Sequence, residues 1–311
     1  MDHHRQLVVG AGPVGRALAH QLVSRGHGVT VVTRSGSATV PGARPLALDA
    51  SDADALTRAA EGAGVLYNCA NPGDYTQWHK TWPPLAAALL TAAERTGAVY
   101  AMTGNLYPYG PVDGPMHEGL PDAATDAKGR LRAAMWHTAR TAHEQGRVRA
   151  VEVRGSDYIG PGVGANGHIT RVLPAALRGR PVTVLIAKDQ PHSFTSPADV
   201  AQLLIAAAAD DTAHGRVWHV PSNPPRTQEQ ALTDVLRAAG RPPVRVRVLR
   251  DPALAGISLV VPVLREIRAL AYQWDRPYVL DDAAARRHFD LEPTPWEEVC
   301  RTTAHAAPGA R

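Results

Sequence analysis

Cysteine, lysine and phenylalanine are all scarce in this 311-residue chain, which has two Cys, two Phe and, among 33 Lys plus Arg, only Lys80, Lys128 and Lys188 as lysines. Cys69 and Cys300 cannot build a disulfide framework, so a reducing compartment, the cytoplasm, is expected. Neither a C-x-x-C pair nor an H-E-x-x-H motif is present, and no dedicated metal site is expected. The longest apolar run, near Ile257–Leu264, falls far short of the ~20 residues of a membrane span. The start, Met1–Gln6, is charged and shows no signal-peptide pattern. A formal charge of +4 is small for this length and gives no reason to expect a nucleic-acid partner. With so little Phe, the core is expected to be mostly aliphatic.

What the chain does have is alternation. Short apolar runs at Leu7–Val9, Val29–Thr33, Leu46–Leu48, Val65–Cys69, Val99–Met102 and Ala150–Arg154 read as strands. Helical spacing falls between them at 14–25, Ala53–Glu61, Leu85–Arg95 and Lys128–Gln145. Strands alternating with helices imply right-handed crossovers and a parallel sheet. After Gly160 the texture changes, with Pro and Gly thickening at 160–167 and 221–226. Val182–Ile186 reads as a strand, and Pro197–Ala209 and Gln228–Ala239 as helices. Val244–Arg250 alternates valine with arginine, as in a strand with one wet face. A nucleic-acid stripe through Arg245, Arg247 and Arg250 would need interleaved aromatics, which are missing. The tail from Ala304 is expected to fray.

Gly10-Ala11-Gly12-Pro13-Val14-Gly15 follows the first strand and opens the first helix, the context that gives G-x-G-x-x-G its meaning. Gly10 permits the tight turn, Gly12 lets backbone approach a pyrophosphate, and Gly15 lets helix and strand pack. The helix start then offers N–H groups and a positive dipole end to phosphates. After the second strand stands Val32-Thr33-Arg34-Ser35, without the acid that holds ribose hydroxyls in NAD sites. A guanidinium can grip a 2′-phosphate and Ser35 can add a donor, so NADP(H) is expected over NAD.

These features resemble the extended short-chain dehydrogenase/reductase family, the NAD(P)-dependent epimerases and dehydratases. The resemblance runs through Asp49 after the third strand, Asn68-Cys69-Ala70 after the fourth, Tyr109-Gly110 and Glu118…Pro121. It continues through Arg154…Gly160-Pro161-Gly162 and His192-Ser193-Phe194-Thr195…Asp199-Val200-Ala201. It implies a Rossmann-type doubly wound parallel sheet over residues 1–160, with a returning segment around 190–220. Residues 161–190 and 221–311 would form a smaller C-terminal substrate lobe. Asp49 would approach the adenine, and Asn68, Cys69 and Ala70 would line the cofactor. A small-molecule substrate and a homodimer are further expectations.

The family uses a Ser/Thr and a Y-x-x-x-K pair on one helix. Here Lys128 stands at the Lys position, four residues after Ala124, so the tyrosine is absent. Asn105 holds the serine position, with Thr103 nearby. Lys128 transfers as a ribose-binding residue and Asn105 as a polar contact. Proton transfer then falls to another group at the carboxyl edge of the sheet, with Tyr107 the first candidate and Tyr158, His117 and His192 behind it. His192 replaces the Arg that grips a diphosphate, which argues against a nucleotide-sugar substrate. Asp157, where the family often has Asn, can hold an amide or an ammonium, or cap a turn. Tyr75, Trp78, His79, Lys80 and Trp82 read as one wall of an aromatic pocket or as plain packing, and Trp274–Tyr278 as a cover. The expected function is an NADP(H)-dependent oxidoreductase of a carbonyl, alcohol or enone. The rivals are a non-redox isomerase, dehydratase or cyclase that keeps the cofactor, and an NADP-sensing regulator.

Overall fold

The computed structural model describes residues 5–249, 265–266 and 268–308. The Ile257–Leu264 run, Arg250 and the first four residues lie outside them. The first half of the chain runs β1 (Arg5–Val9), α1 (Pro13–Ser24), β2 (Gly28–Thr33), β3 (Arg44–Ala47), α2 (Ala53–Ala60), β4 (Ala63–Asn68), α3 (Trp78–Thr96), β5 (Val99–Asn105), α4 (Ala127–Glu144) and β6 (Ala150–Gly155). It continues with β7 (Asp157–Tyr158), α5 (His168–Leu177), β8 (Val182–Leu185), β9 (Phe194–Thr195), α6 (Pro197–Ala209) and β10 (Val217–His219). The last elements are α7 (Gln228–Ala238), β11 (Val246–Leu249), α8 (Ala283–Phe289) and α9 (Trp296–Ala306).

Seven parallel strands make one sheet in the order β10-β6-β5-β4-β1-β2-β3. The reversal of strand order beside β1 is the switch point where ligands of doubly wound sheets bind, outside the carboxyl ends of the strands. On one face α1 and α6 cover Val8, Val31, Leu18, Leu22, Val200 and Leu204, an aliphatic layer of the expected kind. The other face, under α2, α3 and α4, is aromatic instead, with Trp78, Trp82, Tyr100, Tyr109 and Trp136 beside Leu89 and Met102. Trp and Tyr there fill the volume that Phe leaves.

That aromatic layer also explains the start of α3. The helix begins at Trp78, seven residues before the expected Leu85, and runs through Pro83 and Pro84. Trp78 and Trp82, one turn apart, are both buried and hold the first turns down. The smaller lobe packs α5, α7 and α9 around Leu173, Leu232, Leu236 and Val299, with Trp274 and Trp296. β8 and β11 pair in parallel at its side, and Arg247 points outward. β9, α6 and β10 return to the large sheet: β9 pairs with β7, α6 lies on α1, and β10 extends the sheet beyond β6. The tail keeps its helix to Ala306, so it is ordered past the point where fraying was expected.

Candidate active site

At the dinucleotide end, the three glycines meet different demands. Gly10 has φ +101°, and a Cβ there would stand 2.6 Å from the Cys69 carbonyl oxygen. A Cβ on Gly15 would overlap the carbonyl oxygen of Gly10. Gly12 has an ordinary φ of −69° and no protein atom within 4 Å of its would-be Cβ. Among the described residues neither backbone strain nor packing requires glycine at Gly12, and the space in front of it is open. Gly12 is also the N-cap of α1 and makes no side-chain cap bond, and Pro13 follows at the first helical position. The other first-turn N–H groups therefore remain for an anion, and the turn fits a dinucleotide pyrophosphate. Val14 is buried in the aliphatic layer, and Gly162 closes against Pro13.

Arg34 is exposed beyond β2, and the Ser35 hydroxyl lies 2.6 Å from that of Ser37. Asp49 Oδ1 accepts from the Ser51 N–H and hydroxyl, which hold its carboxyl below the usual range with help from Arg34. Asn68 turns inward, its amide donating to Tyr100 Oη at 3.2 Å while its oxygen accepts from Ala70 N–H. It shapes the turn after β4 and presents no side chain to a cofactor. Cys69 is buried, 3.6 Å from Thr103 Oγ1, and burial pushes its thiol up to about 12. Ala70 stays half-buried at this edge.

At the other end of the sheet edge the structure corrects the assignment of the Y-x-x-x-K positions. α4 starts only at Ala127, because Asp126 caps it, its Oδ1 accepting from the N–H groups of Lys128 and Gly129. Ala124 precedes the helix and packs against Gly110 and Gly129. A tyrosine at 124 would not stand on the helix face of Lys128. The buried pair one turn apart on that face is Lys128 and Arg132. Lys128 pairs with Glu266 from the C-terminal lobe and lies 5.6 Å from the Tyr75 ring centroid. Arg132 donates to the Thr103 carbonyl at 2.6 Å and covers the Trp82 ring at 4.8 Å. Its Nε is sealed and has no hydrogen-bond partner among the described residues, and burial lowers the guanidinium pKa.

Tyr107 sits in a tight turn at Tyr107–Tyr109 whose first N–H is held by Asn105 Oδ1 at 3.2 Å. Its hydroxyl is 3.4 Å from that of Tyr75, and burial drives both phenols above their usual value. Tyr158 is half-buried and likewise raised by burial. Trp82 is 0% exposed, and Trp78 donates its indole N–H to the Pro72 carbonyl from a buried position. Both are packing residues behind Tyr75 and Tyr107, and the pocket-wall reading of them falls. His192 is also fully buried, stacked on Trp274 at 3.8 Å, so it does not itself line an open substrate space. His117 lies exposed, its Nδ1 accepting from Gly119 N–H.

Arg132, His168 and Glu266 stand here without having been singled out in the sequence, which presents Tyr75 only in an aromatic run, Tyr278 only in a cover, and Asp157 only as a holder of an amide or ammonium or a turn cap. One signal was available: Asp126, a good N-cap two residues before Lys128, marks the true start of α4.

A doubly wound sheet with an open glycine turn at its switch point and a tyrosine-rich site along the same edge defines a dinucleotide-dependent enzyme class. Within that class the chain belongs to the NAD-dependent epimerase/dehydratase family, a family of enzymes, through residues 6–220. The structure is similar to MoeE5 in complex with UDP-glucose and NAD, at 20% identity and TM-score 0.78 over 96% of this chain and 97% of that one. UDP-glucuronic acid 4-epimerase from Bacillus cereus, with UDP-glucuronic acid and NAD, matches at 16% identity and TM-score 0.79, covering 97% and 98%. dTDP-glucose 4,6-dehydratase from Bacillus anthracis str. Ames matches at 14% and TM-score 0.79, covering 96% and 95%. At these identities the likeness is one of fold. No curated protein matches the chain.

Proposed function

We propose that the protein is an NADP(H)-dependent oxidoreductase acting on a small or medium organic carbonyl, alcohol or enone. The observation that carries this reading is the pair of hydroxyls of Tyr75 and Tyr107, 3.4 Å apart, with the Lys128 ammonium 5.6 Å from the Tyr75 ring. A tyrosine beside a lysine is the family's acid–base device, and here the tyrosines come from the loops after β4 and β5. When bound, the nicotinamide supplies or takes the hydride. Tyr107 gives the proton to the substrate oxygen, Tyr75 restores it, and water returns a proton to the half-buried Tyr75. Both phenols carry their protons at neutral pH, as a donor must, while burial raises them and so disfavours the phenolate that donation leaves. Arg132 takes the place of the family's lysine one turn along α4, and Lys128 that of its tyrosine. Exposed Arg34, with no acid beside it in Val32–Ser35, supports a 2′-phosphate.

Reduction is followed as loss of absorbance at 340 nm over a panel of carbonyls. Tyr107→Phe should cut turnover by ~10²-fold or more with NADPH affinity intact. Arg34→Ala should weaken NADPH roughly tenfold and leave NADH alone. An undiminished Tyr107→Phe enzyme, or equal affinity of the wild type for both cofactors, would overturn the respective part. The Lys128–Glu266 pair favours a second reading, because it occupies the cation the redox step would use. In it the cofactor is retained for a non-redox isomerisation, dehydration or cyclisation, and turnover proceeds with no change at 340 nm.

A further inference from the structure

Asp157 stands where β6 leaves the large sheet, and its two oxygens live in different surroundings. Oδ2 is sealed from solvent, 2.9 Å from His192 Nε2 and 3.9 Å from His168 Nε2. Among the described residues neither Oδ2 nor His192 Nε2 has a hydrogen-bond partner, so their contact is one of close approach. His192 is immobilised on every side. Its backbone exchanges hydrogen bonds with Arg226, its ring stacks on Trp274 within 6° of parallel, and Tyr278 lies 5.2 Å beyond. Its Nδ1 is 3.0 Å from the Gln273 carbonyl oxygen, which can only accept, so Nδ1 carries a hydrogen. The neighbouring His168 and the contact with His192 hold Asp157 below the usual carboxylate range against its burial.

With Oδ2 sealed, the 18% of the Asp157 side chain that remains accessible belongs to its other atoms, Oδ1 among them. Asp157 stands just after β6, at the carboxyl edge of the sheet and next to Tyr158 in β7, and its charge helps to raise the phenols of Tyr75, Tyr107, Tyr158 and Tyr278. We propose that Asp157 Oδ1 is the specificity-determining acceptor of this site, positioned by His192, and that the substrate brings it a hydroxyl donor. A carboxylate or phosphate on the substrate offers only acceptors and a like charge, and is refused. This rests on the oxidoreductase reading above for the presence of a carbonyl substrate at the same edge.

Two measurements test it. In nitrogen-15 spectra of histidine-labelled protein the His192 Nε2 resonance should move on Asp157→Asn, as expected of atoms 2.9 Å apart; an unmoved resonance overturns the anchoring. With NADPH, 2-hydroxyacetophenone should be preferred over acetophenone by ~10-fold or more in kcat/KM, as expected of a hydrogen bond to a charged group, and phenylglyoxylate should be refused. Asp157→Asn should shrink that preference to about threefold or less, with NADPH affinity unchanged. Equal behaviour of the two ketones in NADPH-binding wild type, including failure of both, overturns the proposal, as does a preference that survives in Asp157→Asn. Failure to bind NADPH would instead overturn the oxidoreductase reading, and the nitrogen spectrum still reports on the anchor.

Discussion

Two helices begin at the same edge of the sheet and treat their free N–H groups in opposite ways. α1 starts at Gly12 with no side-chain cap and open space in front of it. α4 starts at Asp126, whose own carboxylate takes up the N–H groups of Lys128 and Gly129. The positive end of α1 is thereby left for an anion from outside, and that of α4 is neutralised from within. One end is left open to a ligand; the other is closed by its own cap.

The comparison breaks first at Gly12. Gly12→Val should abolish NADPH binding in calorimetry, a loss of at least about a hundredfold, because the side chain fills the pyrophosphate space. Its stability should fall by no more than ~1 kcal/mol, since the backbone is ordinary and nothing is clashed with. Binding that persists would mean the nucleotide lies elsewhere.

Acid probes the closed side. Burial lowers His168 to about 4 and His219 to about 3, with Asp157 and the Asp281 carbonyl opposing. The unfolded chain therefore binds more protons than the folded one below 6.5, and stability declines as pH falls from there toward about 4. The loss should be on the order of 1–3 kcal/mol for each histidine, read from urea unfolding across that range. A flat profile would mean that these rings are already protonated in the fold.

Removing the cap of α4 is smaller. Asp126→Ala should cost ~1 kcal/mol in the same unfolding experiment and leave NADPH affinity as it was. A large loss of cofactor affinity would show that the two helix starts are not independent. Smallest of all, Gly12→Ser gives α1 the kind of cap that α4 has. It should gain a few tenths of a kcal/mol while weakening NADPH, so stability and binding move in opposite directions at one residue.

Much of this molecule is legible along the chain. Six of the seven strands of the large sheet follow from short apolar runs, all but the exposed edge strand β3 largely buried, and Gly10–Gly15 announces the dinucleotide turn through the strand before it and the helix after it. β10 escapes notice because three residues, Val217–His219, make too short a pattern. α3 is misjudged at its start because Pro83 and Pro84 look like a break, whereas burial of Trp78 and Trp82 outweighs them. The placing of Y-x-x-x-K on α4 shifts for a related reason. Counting Y-x-x-x-K back from Lys128 lands on Ala124, but helical neighbours are meaningful only inside a helix, and Asp126 starts this one later.

By itself the sequence determined the alternation of strands and helices, the open glycine turn and the basic residue after β2, since each is a pattern of near neighbours. Only the tertiary structure decided that Tyr75 meets Tyr107 from 32 residues away and that Lys128 faces Glu266 across 138. It alone buried His192 between Asp157 and Gln273. Periodicity reports which face of its own element a side chain occupies. Which loops then meet above the sheet depends on how helices and lobes pack against it, and no local pattern carries that.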